Sequence, residues 1–179
     1  MIKITQTTWY YFVNEAKIRF FELIFNQLLS IIQIEFYEIL KMKTIRDIMV
    51  SNVICVKDSD NVHQARMILK DRKIRHLPVV ESDTGDFAGV LTQRSLLNNA
   101  FNIVEKFGMS TLEKRELRTA VKEIMTTDCI TVPPDMDLMT AGEYFTVKKA
   151  SCLPVVEDNK LAGLVTSVDF VKLALHLLK

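Results

Sequence analysis

One segment of this chain is written twice, and the duplication limits the folds open to it. Leu77-Pro78-Val79-Val80-Glu81 recurs identically as Leu153-Pro154-Val155-Val156-Glu157. Each copy is followed by a polar turn, a glycine, two aliphatic residues and a threonine: Gly89-Val90-Leu91-Thr92 in the first and Gly163-Leu164-Val165-Thr166 in the second. Such an ordered series points to an internal repeat. A chain of 179 residues has room for two small halves that share one core and a cleft between them.

The repeat extends upstream. Ile48-Met49 recurs as Ile124-Met125, and Ile54-Cys55-Val56 as Ile130-Thr131-Val132, a short β-branched strand in each copy. Polar loops follow, and Asn61 and Asp137 stand where a helix N-cap is wanted. Val62, Ala65, Ile68 and Leu69 give the first helix an apolar face, matched by Leu138, Ala141, Tyr144 and Phe145 in the second copy. Each helix is expected on its own sheet. Strands Leu77 to Val80 and Phe87 to Leu91 form a hairpin around Ser82-Asp83-Thr84-Gly85-Asp86, shortened in the second copy to Asp158-Asn159-Lys160. Helical residues return from Ser95 to Phe101 and from Asp169 to Leu178. Each unit therefore reads strand, helix, strand, strand, helix, an α+β fold. The expected divisions are 1-43, an N-terminal helical extension; 44-101, repeat 1; 102-122, a charged and helical connector; and 123-179, repeat 2.

Residues 1-43 differ in character. Tyr10-Tyr11-Phe12-Val13, Phe20-Phe21, Leu28-Leu29 and Ile31-Ile32 occur without glycine or proline, which reads as one long apolar helix. The stretch between Glu22 and Glu35 is shorter than the ~20 uncharged residues a bilayer core needs. A packing or self-association helix is the leading reading. An in-plane membrane helix and a true start at Met42 are the alternatives. Lys and Arg number 23 against 22 Asp and Glu, so no global charge points to nucleic acid. The three cysteines, Cys55, Cys129 and Cys152, show no metal spacing, and a reduced, cytoplasmic setting is expected.

The duplicated series resembles a tandem pair of cystathionine-β-synthase (CBS) domains, a Bateman module. The resemblance rests on Asp47-Ile48-Met49 and Glu123-Ile124-Met125, the Leu-Pro-Val-Val strands, and the ending Gly163-Leu164-Val165-Thr166-Ser167-Val168-Asp169. It runs from about Asp47 to Leu173 and leaves out the N-terminal helix. It implies two repeats packed about a pseudo-twofold axis and clefts for adenosyl compounds such as AMP, ADP, ATP or S-adenosylmethionine. It also implies a sensing rather than catalytic role, and association into a homodimer.

Reading a nucleoside needs an apolar slot, an acceptor for the ribose hydroxyls and donors for phosphate. The resemblance makes Asp169 the ribose acceptor, with Thr166 and Ser167 beside it at a helix start that favours an anion. On spacing alone, Thr166-x-x-Asp169 reads first as a reciprocal helix cap, and only the resemblance puts the ribose role ahead of it. The remaining walls of this cleft are expected from Asp128, Cys129, Ile130, Ser151, Cys152, Leu153 and Pro154. The first copy has Thr92 but Ser95 in place of the acid, so its cleft, with Arg94, Asn52, Val53, Ile54, Arg75, His76, Leu77 and Pro78, is expected to be the weaker. Ile54 and Ile130 read first as plain core and second as base contacts, Pro78 and Pro154 also as strand starts, and Arg75 and Arg94 equally as surface charges. Arg75, His76 and Arg94 are candidates for a polyphosphate.

No nucleotide-cradling glycine loop, metal-binding His-Glu helix or nucleophile elbow is present, so no enzyme, catalytic cofactor or metal is expected. His63 and His176 read as structural or surface. The competing function is a ligand-free assembly module working through the N-terminal helix. Such a module would regulate an unknown effector protein, enzyme or transporter.

Overall fold

The computed structural model describes Gln27 and residues 42–178. The expected N-terminal helix lies outside the described residues. From residue 43 onward the chain runs β1 (Val56–Lys57), α1 (Val62–Arg72), β2 (His76–Val80), β3 (Phe87–Thr92) and α2 (Gln93–Phe107), then α3 (Leu112–Glu116). The second copy follows as α4 (Leu138–Thr146), β4 (Leu153–Glu157), β5 (Lys160–Val165) and α5 (Ser167–Leu177). Among the described residues the first sheet has order β1-β2-β3, and the second is the hairpin β4-β5. The expected strand at Ile130 to Val132 shrinks to a parallel bridge between Val132 and Val155.

Local chemistry sets the helix starts as expected. Asn61 Oδ1 accepts from Gln64 N–H at 2.9 Å and Asp137 Oδ1 from Thr140 N–H at 2.9 Å, each satisfying a donor the first turn leaves open. Helix α1 then buries Val62, Ala65 and Leu69 against Leu77, Val79 and Leu91 of its own hairpin. Ala141 of α4 does the same with Leu153, Val155 and Val165.

The two cores are completed by exchange. Ile45, fully buried, sits in the core of the second copy with Ile48 and Met49 packed against it. Val121, Ile124 and Met125 sit in the core of the first. The backbone pairs reciprocally: Val50 bridges Leu164, and Thr126 bridges Val90. Ile45 N–H donates to Met136 O at 2.9 Å and Val121 N–H to Asp60 O at 2.8 Å. Each Ile-Met segment thus belongs in space to the other copy, an arrangement related by a pseudo-twofold. The repeated glycines make this approach fit. A Cβ on Gly89 would stand 2.5 Å from Thr126 O, and one on Gly163 2.6 Å from Met49 Sδ.

The connector is pinned to the first copy. Glu116, with no exposure, takes Arg66 Nε at 2.8 Å and lies 3.7 Å from His63 Nδ1. His63 therefore has a structural partner that spacing along its own helix could not reveal. The hairpin tips of the two copies also meet, through Lys160 Nζ to Asp86 Oδ1 at 2.6 Å and Phe87 N–H to Asn159 O at 2.8 Å.

Candidate functional site

The exchanged segments leave a cleft of about 1130 Å³ between the copies. One side is the start of α5, with Thr166, Ser167 and Asp169; the facing wall is Val50, Asn52, Val53 and Ile54, the chain that has just crossed over from the second core. Arg75 and His76, at the start of β2, and Thr92, Gln93 and Arg94, at the start of α2, extend it on the first copy. Lys149 and Ser151 extend it on the second.

Asp169 is 7% exposed, so its carboxylate needs partners. Oδ2 accepts from Thr166 N–H at 2.9 Å and Thr166 Oγ1 at 2.8 Å, and Oδ1 accepts from Lys172 Nζ at 2.9 Å. Burial pushes the carboxyl up, yet the Lys172 and Thr166 hydrogen bonds outweigh it and hold its pKa below the ordinary value of 3.8. The group is ionised at neutral pH. The structure therefore contains the helix cap, made by Oδ2. Oδ1 is held by an exposed lysine of the cleft wall, a partner that a ligand hydroxyl could displace.

At the equivalent place in the first copy, Ser95 N–H donates to Thr92 Oγ1 at 3.0 Å, and the two hydroxyls lie 2.9 Å apart. That helix start carries a hydroxyl in place of the carboxylate. His76 is pushed below the usual 6.5, first by burial and then by the charge of Arg75.

Of the residues singled out from sequence, the cleft brings together Thr166, Ser167, Asp169 and Ser151 with Asn52, Val53, Ile54, Arg75, His76, Thr92 and Arg94. Residues expected in two clefts thus line one. Asp128, Cys129, Ile130, Cys152, Leu153, Pro154, Leu77, Pro78 and Ser95 are not among its lining residues. The exchange explains the regrouping, because it carries Asn52 to Ile54 across to Asp169. Leu77 and Leu153 are fully buried core. Pro78 and Pro154 lie inside their hairpins, opposite Val90 and Leu164. Burial raises the Cys152 thiol to about 11 and also raises Cys129. Ile54 is 38% exposed and lines the cleft instead of the core; Ile130 is 39% exposed.

Sequence reasoning passed over Lys73, Lys149 and Lys172, which line the same cleft. A signal for the first two existed, since each stands four residues before its Leu-Pro-Val-Val strand. Among the described residues no cluster of His, Cys, Asp and Glu suits a metal ion, and no helix is long and apolar enough to cross a membrane.

Comparison with known proteins places this architecture. The CBS domain family profile matches residues 45–102 and 121–176. The CBS domain-containing protein YhcV of Bacillus subtilis is 27% identical over 128 residues, covering 72% of this chain and 83% of that protein. The first three curated relatives are covered over 32%, 83% and 24% of their lengths, so two of them are much longer than the matched part. Among solved structures, CBSX2 in complex with AMP is 30% identical with a TM-score of 0.63, covering 76% of this chain and 98% of that one. The CBS domain pair of MJ0100, in complex with 5′-methylthioadenosine and S-adenosyl-L-methionine, is 25% identical with a TM-score of 0.58, covering 74% and 96%. The matched segments coincide with the two copies found in the sequence, and the chain belongs to the CBS domain family, carrying the domain twice.

Proposed function

We propose that this chain is a regulatory module that binds an adenosyl ligand in the Asp169 cleft and signals through changed association. The observation that carries the reading is the Asp169 carboxylate, buried, ionised and presented at a helix start in a cleft lined by both repeats. An ionised acceptor there suits the paired ribose hydroxyls, and hydrogen bonds to a charged group contribute about 1.5–3 kcal/mol each. Ile54 and Val53 supply apolar wall for a base. The AMP complex of CBSX2 and the S-adenosyl-L-methionine complex of MJ0100 support the ligand class. Because the ligand touches both repeats, it shifts their relative geometry to the extent that it prefers one arrangement.

Association is supported by an apolar row left open on α2 and α5. Leu97 is 63% exposed, Phe101 70%, Val171 56% and Leu175 58%, a surface that suits a second copy in a homodimer. The three unpaired cysteines support a reducing, cytoplasmic compartment.

A thermal-shift panel of AMP, ADP, ATP and S-adenosylmethionine tests the reading, run beside Asp169→Ala. Stabilisation of the native chain by at least one of them, weakened in the variant, is expected. No shift with any compound at millimolar concentration would overturn it.

A further inference from the structure

The charge of the cleft is lopsided. Lys73, Arg75, Arg94, Lys149 and Lys172 line it against a single carboxylate, Asp169. Among the described residues only Lys172 of these five has an ion pair. The other four have no side-chain hydrogen bond or ion pair there, and all are exposed to the cleft solvent. Like charges gathered without counter-charges repel one another, which disfavours the empty arrangement. An anion would relieve this.

Two of the four are held in an unusual way. Lys73 has φ +53° and Lys149 φ +56°, the left-handed region in which glycine sits without penalty and lysine does not. The other non-glycine residues with positive φ among those described are Asp158 and Asn159, types that tolerate it in a hairpin turn. Lys73 ends α1, and its N–H donates to Leu69 O and Lys70 O, a helix end where glycine is the usual occupant. Lys149, two residues past the Val147 that caps α4, stands at the same distance before its own Leu-Pro-Val-Val run. Both copies therefore keep a lysine where the backbone favours glycine, and both lysines line the same cleft. Helix termination does not account for that choice.

We propose that the cleft is built for a nucleotide bearing two or more phosphates, clamped across the pseudo-twofold by Lys73 and Lys149 with Arg75 and Arg94, and that it discriminates against S-adenosylmethionine. The inference rests on the adenosyl reading above and adds the phosphate chain to it. The cleft volume of about 1130 Å³ exceeds the roughly 300–1,000 Å³ of ordinary small-molecule sites, which leaves space beyond a monophosphate. Arginine forks suit phosphate oxygens in pairs, and the lysines act as point charges. The sulfonium and ammonium groups of S-adenosylmethionine would face the same cations and be repelled.

Calorimetric titration of the full chain with metal-free adenosine, AMP, ADP and S-adenosylmethionine tests this, beside the double variant Lys73→Gly with Lys149→Gly. Glycine suits both backbone positions, so the variant is expected to melt no lower than the wild type. ADP is expected to bind roughly tenfold or more tighter than AMP, and S-adenosylmethionine more weakly than AMP. In the double variant the advantage of ADP over adenosine is expected to shrink by roughly tenfold or more. Equal binding of AMP and ADP, S-adenosylmethionine binding as tightly as ADP, or an undiminished ADP advantage in a folded double variant overturns the clamp while the adenosyl reading stands. If adenosine and every nucleotide fail to bind, both fall together.

Discussion

The two oxygens of Asp169 face different partners. Oδ2 is committed to the Thr166 N–H and hydroxyl, and Oδ1 to the exposed end of Lys172. On the proposed reading the cap and the ligand acceptor are one residue in two capacities, and substitution separates them. Asp169→Ala is expected to lose about 1 kcal/mol of stability, the usual effect of removing a cap acceptor, together with nucleoside binding. Asp169→Asn keeps an amide oxygen for the cap but loses the charge paired with Lys172, so it is expected to lose less stability than Asp169→Ala. Its nucleoside affinity is expected to fall roughly tenfold. Urea denaturation and ligand titration on the same samples check both; parallel losses in the two variants would contradict the division. His76 gives a pH signature. Burial, reinforced by Arg75, lowers its pKa from 6.5, so the unfolded chain takes up the proton first as pH falls. The stability tied to His76 is thus complete above about pH 6.5 and declines toward the lowered native value. Urea midpoints followed between about pH 5 and 8 are expected to fall less steeply for His76→Gln than for wild type. Identical slopes would mean that the imidazole is not held neutral. The cap at Asp169 was legible from the sequence because its motif is local; Lys73 and Lys149 left a signal in their shared spacing before the Leu-Pro-Val-Val strands, but their left-handed backbone is encoded by no composition or period.

Helices and hairpins followed their caps and alternation, so α1, β2, β3 and α5 were readable from a few residues each. The crossing of the Ile-Met segments was not. Ile48-Met49 and Ile124-Met125 mark the repeat equally well whichever core they enter, and sequence order favours the nearer one. Only packing decides, through Ile45 filling the second core and Val121 the first. The regrouping of Asn52 to Ile54 with Asp169 follows from that one fact. Two substitutions test the crossing. Gly89→Ala sets a Cβ 2.5 Å from the backbone oxygen of Thr126, whereas the nearest obstacle at Gly163 is the flexible thioether of Met49, at 2.6 Å. Gly89→Ala is expected to lose about 1–3 kcal/mol by overpacking, and Gly163→Ala less, because a methionine end can swing aside. Chemical denaturation giving equal or negligible losses would contradict the close approach of the segments. Ile45→Ala is expected to lose about 2–5 kcal/mol, although Ile45 lies far along the chain from the core it completes; a loss below about 0.5 kcal/mol, as for a surface site, would contradict its placement.

At the level of the entire protein, duplication and divergence act together. The pseudo-symmetric exchange ties each copy to the other, so the proposed ligand, held by α5 on one side and by Asn52 to Ile54 on the other, would report on both. Divergence then makes the two helix starts unequal: Asp169 keeps an ionised acceptor in the cleft, whereas Ser95, outside its lining, offers a hydroxyl already engaged with Thr92. The chain is therefore expected to hold one adenosyl ligand tightly. Isothermal titration of AMP into the full-length protein, wild type and Asp169→Ala, measures this directly. The expected result is saturable binding at one ligand per chain, weakened roughly tenfold or more in the variant. Two equivalent sites per chain, or an affinity indifferent to the loss of Asp169, would contradict it.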